Sequence, residues 1–165
     1  MNDTNELSKN QQIRKVAERL PHLPDMSFKT GNYGKAYRLG KDFYLNQWRG
    51  KEKSSPAFQN RIVNATRKGF GHLVGKTVMT NYGDATKRLS HLPNAKQILE
   101  KTDFIYETTK EVEKTGELIN RHVILGKLET GDILKVVVKE QDHKLTFTTV
   151  YVTLTIKRDN KETQA

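Results

Sequence analysis

Two histidines and a set of cations stand close together in the middle of this chain. Lys68-Gly69-Phe70-Gly71-His72-Leu73-Val74-Gly75-Lys76 is followed by Lys87-Arg88-Leu89-Ser90-His91-Leu92-Pro93-Asn94. An imidazole titrates near neutral pH and can move a proton, and a fixed cation stabilises the charge that builds on a pentacoordinate phosphate. Those are the parts needed to cleave RNA without a metal, with the 2′-hydroxyl as nucleophile. His72, between glycines and next to Lys68 and Lys76, is the first candidate for acid or base, because surrounding cations favour the neutral, proton-accepting form of an imidazole. His91 is the second, although Ser90-His91-Leu92-Pro93 also reads as a helix cap. His22, His122 and His143, beside a proline, in mid-strand and in a turn, are weaker candidates. Arg88, Lys87 and Lys76 are the candidates to hold the phosphate, with Arg67 and Lys68 as further RNA-binding cations. Tyr106, Thr149 and Tyr151 could present hydroxyls from an open sheet face, though strand propensity is the commoner reason for such residues in a strand.

Other chemistries are excluded by what is missing. The sequence has no His-Glu-x-x-His, no Gly-x-x-x-x-Gly-Lys-Ser/Thr, no Gly-x-Ser-x-Gly and no acidic cluster of the kind that holds two magnesium ions. Gly69-x-Gly71-x-x-x-Gly75 lacks both the spacing and the alternating strand and helix context of a dinucleotide site. Without cysteine there are no disulfides and no thiolate zinc sites. No metal and no cofactor are expected.

The net charge of +10 is unevenly distributed. Residues 27–91 carry thirteen basic groups against Asp42, Glu52 and Asp84, while the flanking segments are balanced. A field focused in this way suits a polyanion, through release of condensed counterions. A polar N-terminus, Met1-Asn2-Asp3-Thr4-Asn5-Glu6, and the lack of any apolar run of membrane-spanning length predict a soluble protein with no membrane partner, cytoplasmic or delivered into a target cytoplasm from a bacterial or phage source.

These residues need elements to position them. Residues 1–157 are expected to form one domain, with a polar tail at 158–165. Within it, 1–57 make an N-terminal helix and hairpin extension and 58–157 the core. Helical spacing of Leu7, Ile13, Val16, Ala17 and Leu20 predicts a helix over 8–20. Tyr37-Arg38-Leu39 and Asp42-Phe43-Tyr44-Leu45 around Gly40-Lys41 predict a hairpin. Ser54-Ser55-Pro56 predicts a helix start continuing through Phe58, Ile62, Val63 and Ala65, and short helices follow at 84–89 and 93–100. From residue 104 the period changes to two. Strands at 104–110, 117–126, 132–140 and 144–157, joined by short turns, predict an antiparallel meander. Val150, Val152, Leu154 and Ile156 mark one face of the last strand. Leu145 and Phe147 have the wrong parity, so either a bulge near Thr148-Thr149 resets the register or that face is partly apolar.

The order Gly71-His72-Leu73-Val74-Gly75, then Lys87-Arg88-x-x-His91-Leu92-Pro93-Asn94, then Leu145-Thr146-Phe147-Thr148-Thr149-Val150-Tyr151 resembles the prophage-type nuclease domains of the barnase, EndoU, colicin E5/D and RelE superfamily. The resemblance covers roughly residues 58–157. It implies an α+β fold, with helices packed on one face of a four-stranded antiparallel sheet and the other face left for RNA. It further implies a histidine role for His72 and a hydroxyl role for Thr148 or Thr149 with Tyr151. The expectation is a metal-independent endoribonuclease, a toxin or a phage or mobile-element effector, with RNA as substrate and an antitoxin or immunity protein as partner. Two rivals need less: a non-catalytic nucleic-acid-binding module using aromatics such as Tyr33, Tyr37 and Trp48, and a protein-binding phage effector whose basic surface meets an acidic protein.

Overall fold

A computed structural model describes residues 8–75 and 81–157. Lys76 and the tail from 158 lie outside the described residues. Ser8 opens α1 (Lys9–Ala17) with a capping box: its hydroxyl accepts from the Gln11 N–H and the Gln11 side chain returns to the Ser8 N–H. Ile13 and Ala17 form its buried stripe, continued by Leu20. After the short β1 (His22–Leu23), α2 (Tyr33–Asp42) starts at Asn32, whose side chain accepts from the Lys35 N–H, and runs on into a π-helical segment, Phe43–Trp48.

The hairpin expected at 37–45 is therefore a helix. Ala36, Gly40, Tyr44 and Trp48 recur every fourth residue and are all buried, a helical period that outweighs the local aromatic and glycine pattern. Gly40 packs closely on Leu89: a Cβ there would lie 3.2 Å from Leu89 Cδ2, so the leucine would have to give by a few tenths of an ångström. The helix expected from Ser54 is also corrected. β2 (Ser54–Ser55) leads into one 3₁₀ turn at Pro56–Phe58, and Gln59 and Asn60 then take left-handed φ of 57° and 64°. That turn reverses the chain into β3 (Arg61–Asn64), antiparallel to β2.

Thr66 caps α3 (Arg67–Val74) by accepting from the Gly69 N–H, and the glycines at 69 and 71 do not break it. Asn81 caps α4 (Tyr82–Ser90) in the same way through the Asp84 N–H, and α5 (Leu92–Lys101) carries Pro93 in its first turn. The remaining strands are β4 (Glu107–Val112), β5 (Leu118–Leu128), β6 (Asp132–Gln141) and β7 (Lys144–Thr155).

β4 to β7 pair antiparallel in sequence order, but the sheet is not a four-stranded meander. Among the described residues it is a mixed sheet of seven strands, because β1 adds in parallel to β5 and β3, itself paired with β2, adds in parallel to β7. The fold class is α+β. β1 and β3 are too short to show a period, and their partners lie 105 and 82 residues further along the chain.

The bulge is present. The β6–β7 register shifts between Val137, opposite Thr149, and Val138, opposite Phe147, so Leu145, Phe147 and Val150 all enter the same core. A second irregularity between Ile133 and Leu134 sends Leu154 and Ile156 to the other side, away from Val150 and Val152. Helices do not cover one face alone. Parts of α2 to α5 pack with Ile124, Leu134, Val136, Val138 and Val150, whereas α1 packs with Leu125 and Ile133 on the reverse face. α5 sits tightly on the sheet at Gly126, where a Cβ would fall 2.2 Å from Ile98 Cγ1.

Candidate active site

Arg88 gathers the site. It lies on α4, and its Nη1 donates to Thr149 Oγ1 at 2.9 Å while Nε donates to Asp84 Oδ2 at 2.8 Å. Its guanidinium carbon stands 5.1 Å from the centre of the Tyr151 ring, a cation–π distance. Asp84 is one turn earlier on the same helix, so the ion pair fixes the guanidinium fork before any ligand arrives. Three sequence-expected residues, Arg88, Thr149 and Tyr151, thus meet across 61 positions of sequence.

The bulge decides which way the last strand's hydroxyls point. Because Val150 enters the helix-side core, Thr149 and Tyr151 face the reverse side. β3 pairs β7 only at Leu145 and Thr146, and Arg88 reaches Thr149 and Tyr151 beyond the end of that pairing. Register then builds the surroundings row by row: Tyr151 stands opposite Lys135, Thr149 opposite Val137, and Thr146 opposite Lys139, which is opposite Arg121. All of these are half-buried. Lys139 is paired with Glu113 and Arg121 with Glu111, whereas Lys135 makes no ion pair among the described residues.

His91 sits just past the end of α4, seven residues after Asp84 and three after Arg88, on the same helical stripe. Its surroundings fix its proton. Asn94 Oδ1 accepts from the Met26 N–H at 2.8 Å and from Gln97 Nε2 at 2.8 Å, so the group that Asn94 turns to His91 Nδ1, at 3.0 Å, is its amide nitrogen. Nδ1 therefore accepts and the neutral ring carries its proton on Nε2. Burial pushes the His91 pKa down, against the attraction of Asp25 and Asp132. His91 is a neutral donor at pH 7, suited to hydrogen-bonding a phosphoryl or leaving oxygen and not to accepting a proton.

His72 is exposed on α3, one turn after Lys68, and α3 packs against β7. Among the described residues no hydrogen bond joins a histidine to Arg88, Thr149 or Tyr151. α3 is held in place by Tyr44, whose hydroxyl donates to Thr66 O at 2.9 Å and accepts from the Thr66 N–H at 2.8 Å; burial pushes this phenol up to about 12. Arg67, Lys68 and Lys87 are exposed. Tyr106 packs against the α1 side of the sheet with Phe104 and Val123, and burial raises its pKa. His122 is buried by Phe58 and bonded to Thr108 and Glu140, a structural role.

Sequence reasoning passed over Asp84, Lys135 and Asn94. The i, i+4 spacing of Asp84 and Arg88 was the one local signal available. Among the described residues no group of three His, Asp or Glu could hold a metal ion, and no helix is long and apolar enough to cross a membrane. The chain matches no family model, no curated protein and no solved structure.

Proposed function

We propose that this protein is a metal-independent endoribonuclease that cleaves RNA by attack of the 2′-hydroxyl on the adjacent phosphorus, leaving a 2′,3′-cyclic phosphate and a free 5′-hydroxyl. The observation that carries the reading is Arg88, fixed by Asp84 and bonded to Thr149 beside Tyr151. In this reading the guanidinium holds the two non-bridging oxygens of the scissile phosphate, where negative charge grows in the transition state. Thr149 and Tyr151 hydroxyls orient the same oxygens, and Lys135, across from Tyr151, adds to the field. His72 takes the proton of the 2′-hydroxyl, His91 Nε2–H hydrogen-bonds the departing 5′-oxygen, and that oxygen takes its proton from solvent water as the P–O bond breaks. Toxin or mobile-element effector chemistry, with a protein inhibitor that covers the site, belongs to the same proposal.

The absence of a histidine hydrogen bond to the Arg88 cluster favours one competing reading, a module that binds RNA without cutting it. His72→Ala separates them. General acid–base chemistry supplies about a hundredfold or more, so cleavage should fall by that factor while RNA affinity and folding stay nearly unchanged. Wild-type protein that binds RNA tightly and cuts none, transfer RNA included, would establish the binding module instead.

A further inference from the structure

We infer that a second phosphate subsite lies in a basic cleft between α2, the π-helical segment and the first turn of α3, and that it takes a phosphodiester of the RNA strand away from the scissile bond; the identity of the strand rests on the ribonuclease reading. The cleft encloses about 400 Å³, and Tyr37, Arg38, Lys41, Asp42, Arg49 and Arg67 line it. Four cations face a single carboxylate. Asp42 accepts from Asn46 Nδ2 at 2.8 Å and from Gln47 Nε2 at 3.4 Å, and it is ion-paired with none of the four among the described residues.

Arg49 is the informative member. Its Nε is buried and has no hydrogen-bond partner among the described residues. A buried donor without an acceptor is destabilising unless something supplies one. The chain leaves the π-helical segment at Arg49, whose N–H reaches back five residues to Tyr44 O at 2.8 Å. Single π turns of this kind concentrate at functional sites. Beside it Lys41 Nζ rests 5.6 Å from the Tyr37 ring centre, which holds that ammonium against the cleft wall. Arginine forks match phosphate oxygens in pairs, and a tyrosine face can carry a base, so an RNA strand satisfies the cleft better than an isolated anion. The cleft walls rest on the elements that carry the site: α2 packs on α4, which bears Arg88, and α3 packs on β7, which bears Thr149 and Tyr151.

The test uses a fluorescent single-stranded 2′-O-methyl RNA, which binds without being cut, titrated by anisotropy across a tenfold salt range. Arg49→Gln and Arg67→Gln should each weaken binding about five- to tenfold and lower the salt slope by about 0.7 for each phosphate no longer engaged, while Lys101→Gln, an exposed control outside the cleft, stays within about twofold. Should Arg49→Gln fail to fold, the exposed Arg38→Gln and Lys41→Gln carry the same expectation. Cleft variants that bind like the Lys101 control would overturn the proposal. So would polyglutamate displacing the RNA as well as an oligonucleotide does, which would assign the cleft to an acidic protein. Loss of binding in the cleft variants with no cleavage by wild type would remove the ribonuclease reading and leave the subsite standing.

Discussion

Truncating Arg88 to alanine removes three interactions whose sizes are calculable. Its ion pair with Asp84 joins partly exposed groups, 24% and 35% accessible, so solvent screening limits it to about 0.3–0.5 kcal/mol. The hydrogen bond to Thr149 contributes about 1 kcal/mol, and the contact with the Tyr151 ring about 0.5–1 kcal/mol. The sum, about 2 kcal/mol, corresponds to a loss of about 4–8 °C in Tm for a domain of this size. The variant therefore remains folded at 25 °C. Its effect on catalysis should be far larger, because a preorganised donor to the developing phosphorane charge is worth about 10²–10³ in kcat, or ~3–4 kcal/mol. Arg88→Lys should recover much of the RNA affinity and little of the turnover, since one ammonium cannot hold Asp84, Thr149 and a phosphate in the fork geometry. Single-turnover cleavage of a labelled RNA, alongside binding and thermal melts, reads all three quantities. Cleavage by Arg88→Ala within about threefold of wild type would refute the role given to the guanidinium, and full turnover by Arg88→Lys would refute the fork argument.

Tyr44→Phe should destabilise the protein by about 1–2 kcal/mol in urea unfolding, because the Thr66 N–H loses its acceptor and the Thr66 carbonyl loses one of two donors, keeping the Phe70 N–H; a change under about 0.5 kcal/mol would mean that the α3 anchor is unimportant. For Asp25, burial alone would push the carboxyl up, but hydrogen bonds from Lys29, Asn94 and the Ser27 N–H outweigh it and hold the carboxyl well below the usual carboxylate range. A lowered folded-state pKa gives stability that is present above the unfolded value of about 4 and is lost as pH falls through the folded one. The stability gap between wild type and Asp25→Asn should thus be widest near pH 6 and close on acidification toward pH 2, and a gap constant with pH would contradict this.

β6 and β7 were legible because a half-buried strand writes its period of two into the sequence, whereas β4, exposed at all six residues, carries no such period and was expected three residues too early, and the parity fault at Leu145 and Phe147 marked the bulge that aims Thr149 and Tyr151. The parallel additions of β1 and β3 were not, since two to four residues carry no period and their pairing is decided by distant strands. Tyr37 to Leu45 misled because glycine beside aromatics suggests a turn locally, while the buried Ala36, Gly40, Tyr44 and Trp48 stripe emerges only over a longer window. Arg88, Thr149 and Tyr151 were readable as residue types. Their meeting was not, because it depends on α4 lying beside β7. The proton on His91 depends on Asn94, Met26 and Gln97 and could be assigned only from their hydrogen bonds.

The most direct measurement is the fate of one RNA bond. A short labelled oligonucleotide is incubated with the purified protein in excess chelator, and the ends of the fragments are identified by mass. A 2′-hydroxyl mechanism gives a 2′,3′-cyclic phosphate facing a 5′-hydroxyl, and no product at a position where the single 2′-hydroxyl is replaced by hydrogen. Equal cleavage at the deoxy position, or activity that appears only when a divalent metal is returned, would contradict it.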